Sequence, residues 1–170
     1  MGMSRFGAVV RGVKAGVAGG LAMDLVWFAR YRDDGGDQSF RDWELSNGTT
    51  SFEEAGPPAQ LGRLVARRVF LIELPDQAAA ATNNVVHWAT AMQWGALYGL
   101  ASRSAPGPLR RGVVLGALAC TTSYVVLPLL KLYKPIWKYD AKTLAKDYSA
   151  HLVFGTVTAV AFRALARIRR

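Results

Sequence analysis

Arg11-Gly12-Val13-Lys14-Ala15-Gly16-Val17-Ala18-Gly19-Gly20-Leu21-Ala22-Met23-Asp24-Leu25-Val26-Trp27-Phe28-Ala29-Arg30-Tyr31 is the stretch that decides how this chain reads. Gly12, Gly16, Gly20 and Asp24 recur every fourth residue. Residues four apart stack on one helix face. Three glycines on that face make a flat groove into which a second helix can settle, the small-residue device of membrane helices. The groove leads to a carboxylate. The reading is a membrane-spanning helix that packs closely and carries one buried acid.

Three further apolar stretches follow, so the expected spans are 12–29, 85–101, 112–130 and 150–166. Each lies near the lower end of the about 17–25 residues that cross a hydrocarbon core. Lys14 and Arg163 lie close enough to span ends to snorkel. A soluble four-helix bundle would show a polar face on every helix. Gly112 to Leu130 has no charged residue in any register, so it offers none. The expected fold is all-α: an integral-membrane four-helix bundle in one domain of 170 residues. The mean hydropathy of only +0.13 reflects dilution by the polar connection 30–84.

The net charge of +9 raises nucleic acid as a partner. Its placement argues against that, because the basic residues flank apolar segments and form no patch interleaved with aromatics. The N-terminal segment, the 102–111 turn and the C-terminal tail hold ten basic residues and no acidic ones: Arg5, Arg11, Lys14, Arg103, Arg110, Arg111, Arg163, Arg167, Arg169 and Arg170. The connections 30–84 and 131–149 hold equal numbers of each sign. Basic excess in short loops marks the cytoplasmic side. Both termini are therefore expected in the cytoplasm, with 30–84 outside. An apolar run that contains Asp24 and ends Trp27-Phe28-Ala29-Arg30 makes a poor cleavable signal, so the first span is read as retained. The composition, rich in Arg, Ala, Gly and Val, suggests a bacterial plasma (inner) membrane.

Trp27, Tyr31, Trp88, Tyr133, Trp137, Tyr139 and Tyr148 lie where outer interfacial anchors belong. In the long outer loop, Pro58 can open a helix over about 58–73, with Leu61, Leu64, Val65, Val69 and Ile72 on one face. That helix is expected on the membrane surface, across the bundle mouth, or in a small soluble cap. Lys131, Lys134 and Lys138 alternate with aromatics in the second outer connection, a pattern suited to an anionic lipid headgroup. The single Cys120 lies inside an apolar run and is expected to pack; it forms no CxxC motif.

Set in order, the spans share one plan. Gly12-Gly16-Gly20-Asp24 and Gly112-Gly116-Cys120-Tyr124 ascend outward, while Asn83-His87-Ala91-Gly95-Gly99 and Asp147-His151-Gly155-Ala159 descend. Each stripe puts small residues in the cytoplasmic half and a polar group in the outer third. The halves are readable as two parallel repeats of a helical hairpin. Asp24, Asn83, His87, Tyr124, Asp147 and His151 then form the expected polar layer. Ionisable groups inside a membrane mark pairing partners or functional sites. Three readings follow: a hydrogen-bond layer that fixes register, a proton relay with Asp147 orienting His151, or a divalent metal held by Asp24, His87 and His151. No catalytic or cofactor motif is recognisable.

The runs Val86-His87-Trp88, Leu132-Tyr133-Lys134-Pro135-Ile136-Trp137 and Ser149-Ala150-His151-Leu152-Val153-Phe154-Gly155 resemble a group of small uncharacterised actinobacterial membrane proteins. More distantly, the last span is similar to the YagU-like inner-membrane family, where His followed by apolar residues and Gly recurs. These resemblances imply a multi-pass membrane location and carry no activity. The functions left open are a non-enzymatic accessory or scaffold protein, a small transporter or channel using the Asp/His layer, and a membrane enzyme acting on lipid. The partners expected are the bilayer, an anionic lipid, and a second copy or larger membrane complex.

Overall fold

The computed structural model of the chain describes residues 4–102 and 109–168. Arg103, Arg169 and Arg170, read above from charge, lie outside them. Six α-helices and no strand occur among the described residues: α1 (Arg5–Asp33), α2 (Phe40–Glu44), α3 (Pro57–Val69), α4 (Ala79–Ser102), α5 (Leu109–Leu129) and α6 (Ala141–Arg167). Two of them, α5 and α6, are long and apolar enough to cross a membrane. The charges on α1 and the polar first turns of α4 dilute the other two long helices.

α1 and α6 begin well before the apolar stretches because their starts are set by caps in polar sequence. Ser4 accepts from the Gly7 N–H at the start of α1, and Asp140 accepts from Thr143 N–H at the start of α6. The Thr143 bonds hold the Asp140 carboxyl below the usual 3.8. The loop helix α3 opens on Pro57–Pro58 as expected but stops four residues early. Leu71 takes a left-handed φ of 57° and Ile72 N–H closes back on the Ala66 carbonyl at 3.0 Å, so a leucine stands in the left-handed position after the helix that glycine usually takes.

The four long helices pack in the order α4–α1–α6–α5, with each neighbouring pair antiparallel, while α4 and α5 barely touch. α1 is central because it has two glycine faces. On one, a Cβ at Gly12 or Gly16 would run into the carbonyls of Gly95 and Ala91 on α4. Gly99 likewise faces the Ala8 carbonyl. On the other, Gly19 lies against Thr158 and Phe154 of α6. The expected α1 stripe omitted Gly19, and with it the α1–α6 contact. Between α5 and α6, Gly112 faces Gly155 and Gly116 faces the His151 carbonyl.

The core fills the half of the bundle nearest the chain termini. Ala15, Leu115, Phe154 and Phe162 are buried there, and Tyr98 meets Phe162 edge-on at 5.6 Å. The opposite half is covered by the long connection. α3 lies along the first turns of α4, where Gly62 fits against Thr82 and Val86. A small second core of Phe52, Ala55, Ala59 and Ala79 ties this cap down. α3 thus packs on α4 at the loop-side end of the bundle.

Candidate functional site

The loop-side half of the bundle encloses a cavity of about 320 Å³ where α4 and α5 diverge. Trp27, Trp94, Leu127 and Phe154 give it apolar walls, and Pro57, Pro58 and Leu61 from α3 close its loop end. His87, Tyr124, Asp147 and His151 border it with polar atoms. Cys120 also reaches the lining, although it is only 1% exposed.

Two hydrogen-bonded pairs organise this polar border. Asp24 is 4% exposed, and its Oδ2 lies 3.0 Å from His87 Nε2 on α4. Tyr124 on α5 donates its hydroxyl to Asp147 Oδ2 on α6. Tyr124 is itself boxed by rings, with Tyr139 at 5.2 Å, Tyr133 at 5.7 Å and Tyr148 at 6.4 Å. Burial pushes the Tyr133 hydroxyl up to about 12, so it stays protonated and a donor at neutral pH. Several of the expected interfacial anchors are thus contacts within the protein; Trp137, 80% exposed, is the one that projects freely.

The expected layer divides in two. Asp24 and His87 meet, and so do Tyr124 and Asp147. Asn83 turns to the loop, where its Nδ2 donates to Ser46 Oγ at 3.0 Å. His151 lines the cavity but donates from Nδ1 to the Asp147 backbone carbonyl at 2.8 Å, one turn up its own helix. The Asp147 carboxylate does not orient it, because Tyr124 holds that group. The triad Asp24–His87–His151 therefore does not assemble as a metal site.

A different third residue joins Asp24 and His87. The ligand atoms of Asp24, Glu44 and His87 all lie within 4.8 Å of one another. Glu44 comes from α2, whose place is set by aromatic packing. Phe40 and Trp43 sit 5.2 and 5.6 Å from Phe28 on α1, and Ser39 caps the helix by accepting from Asp42 N–H. Asn47 donates to Asp42 Oδ1 at 2.8 Å and closes the turn behind it. Burial first, and then the charge of Asp24, raise the Glu44 carboxyl above the usual 4.5. Sequence offered no periodic signal for Glu44, since it lies in a five-residue helix inside a long connection.

No family model, curated protein or solved structure matches the chain. The functional reading accordingly rests on the geometry of the cavity and its polar border.

Arg30 locks the same end of the bundle. It donates to the Lys146 carbonyl at 2.8 Å and to Ser149 Oγ at 2.9 Å, and it stacks on Trp27 at 4.9 Å. The α1–α6 edge is thereby pinned. Lys131, Lys134 and Lys138 are exposed beside Trp137.

Proposed function

We propose that this chain is a four-span plasma-membrane protein that receives a small, mostly apolar molecule between α4 and α5. What supports the membrane reading is the outward surface. Val17, Leu21 and Leu25 on α1 and Val113, Val114 and Leu118 on α5 are exposed along helix faces that a soluble bundle would make polar. Both termini then face the cytoplasm by the basic-residue asymmetry, and the 30–84 connection faces out.

The observation that carries the binding reading is the cavity. Helix interfaces built from glycine leave little space, whereas the cavity bordered by α4 and α5 holds about 320 Å³ with polar groups gathered on it. Pockets of about 300–1,000 Å³ with apolar walls and few polar groups are the usual form of small-molecule sites. A ligand with an apolar body and one polar group suits it. The body lies against Trp94 and Phe154, and the polar group meets His87, His151 or the Tyr124–Asp147 pair. Entry from the lipid through the α4–α5 gap avoids opening any glycine interface. A scaffold that acts only by packing has no need of this space, so ligand handling is preferred to the accessory role. Lys131, Lys134 and Lys138 beside Trp137 suit anionic headgroups around the same rim.

Native mass spectrometry of detergent-purified protein tests this. Wild type is expected to carry a small apolar molecule, and Thr90→Trp, which fills the cavity from the α4 side, is expected to lose it while remaining folded. Equal occupancy in both would refute the reading.

A further inference from the structure

We propose that Asp24, Glu44 and His87 form a binding site for one divalent transition-metal ion. Three elements distant in sequence, α1, α2 and α4, converge their donor atoms within 4.8 Å. Two of the three donors are carboxylates, and the cation paired with them is a histidine alone. Among the described residues Asp24 makes its ion pair with His87, and Glu44 pairs with no lysine or arginine. Two carboxylates brought together away from water repel each other and lose hydration. A dication removes both penalties.

The donor set also selects the ion. One imidazole nitrogen and two carboxylate oxygens match zinc or manganese; a calcium or magnesium site would use oxygen donors throughout. Ligands of tetrahedral zinc, at about 2.0–2.2 Å from the ion, stand about 3.3–3.6 Å apart. His87 and Asp24 are already at 3.0 Å. Closing the set requires a movement of about 1 Å, within the swing of the Glu44 side chain. Metal then replaces the His87–Asp24 hydrogen bond at Nε2.

Because Glu44 belongs to the outer connection, the ion would fasten that connection to α1 and α4. His87 also lines the cavity, so the fastening would border the ligand space. The site stands whether or not the cavity holds a ligand.

Calorimetric titration of chelator-stripped, detergent-solubilised protein with Zn²⁺ tests the site. Wild type should bind one equivalent. Glu44→Gln should bind more than about 100-fold more weakly, since loss of a direct ligand exceeds the 10–100-fold cost of losing a supporting residue. His151→Ala should bind like wild type. Zinc should also slow proteolysis within residues 34–56 in wild type and leave the rate unchanged in Glu44→Gln. His87→Gln serves as a second ligand variant, with circular dichroism confirming that both variants fold. No zinc uptake by wild type, unchanged affinity in Glu44→Gln, or equal losses in His151→Ala and Glu44→Gln would each overturn the proposal.

Discussion

Replacing Gly16 by alanine, beside the same change at Gly20, tests the glycine groove at the resolution of one methyl group. In a helix interior the change is favourable by about 1 kcal/mol, because glycine is the more costly residue there. At Gly16 the new Cβ would lie 3.0 Å from the Gly95 Cα and closer still to the Ala91 carbonyl oxygen. Both obstacles are backbone and cannot rotate away. Carbon atoms rest at about 3.5–4.0 Å, so α1 and α4 must part by roughly 0.5–1 Å. Such a gap forfeits a quarter to a half of each dispersion well. If the crossing holds about as many close pairs as one buried leucine, 40–60 at about 0.1–0.2 kcal/mol, mid-range values give a loss of about 2–4 kcal/mol. Net of propensity, Gly16→Ala should destabilise by about 1–3 kcal/mol, matching the usual cost of overpacking. At Gly20 the nearest atoms are side chains, Ala91 Cβ at 3.2 Å and Trp88 Cζ3 at 3.3 Å, which can give by tenths of an ångström. Gly20→Ala should therefore be neutral or stabilising by up to about 1 kcal/mol. Equilibrium unfolding in mixed detergent, followed by circular dichroism, measures both. Equal effects of the two substitutions would refute the packing argument.

Glu44 gives a pH signature without metal. Its folded-state pKa is raised above the usual 4.5 by burial and by Asp24, so folding binds its proton more tightly. The stabilising contribution is full below about pH 4.5 and is lost as pH rises through the raised folded value. With chelator present, Glu44→Gln should therefore melt higher than wild type at neutral pH, and the difference should shrink towards pH 4. A constant difference across that range would exclude this cause. For topology, cysteine at Glu53 in a Cys120→Ala background should react with an impermeant thiol reagent added outside intact cells, while cysteine at Gly107 should not. Glu53 is exposed, and it avoids Gly48, where φ of 98° would strain any side chain. The reverse pattern would invert the orientation.

Features with a helical period were legible in the sequence. Gly12, Gly16, Gly95, Gly99, Gly112, Gly116 and Gly155 all face a neighbouring helix, because a four-residue stripe fixes a face whatever the partner. Asp24 and His87 were legible as intramembrane groups that needed partners. The stripe did not tell which helices are neighbours. Gly19 joins α1 to α6 from outside it, and the adjacency of these helices comes from Arg30 and Thr158, each a single residue without a repeat. Glu44 was hidden for a related reason. It reaches Asp24 through the aromatic contacts of Phe40 and Trp43 with Phe28, and no periodicity connects a short loop helix to a long one.

His151 lines the cavity without pairing with Asp24 or His87 because of how the second hairpin is assembled. Sequence alignment sets Gly12 against Gly112, Gly16 against Gly116, and His87 against His151. In the first hairpin, Gly12 and Gly16 oppose the carbonyls of Gly95 and Ala91, which leaves His87 level with Asp24. In the second, Gly112 and Gly116 oppose those of Gly155 and His151. Relative to α4 on α1, α6 has slid one turn along α5. The slide brings Asp147 level with Tyr124, and it puts the His151 backbone against glycine. Both hairpins therefore use the same device, a glycine crossing followed by one polar pair, in registers one turn apart. Small residues tolerate either register, since a glycine face offers no knob that must enter one particular hole. Choice of register then falls to the polar pair, and Tyr124 with Asp147 makes a hydrogen bond that His151 in the other register would have to replace. His151 and His87 both still line the cavity. Beside Asp24 and His87, the third donor atom comes from Glu44 of the outer connection.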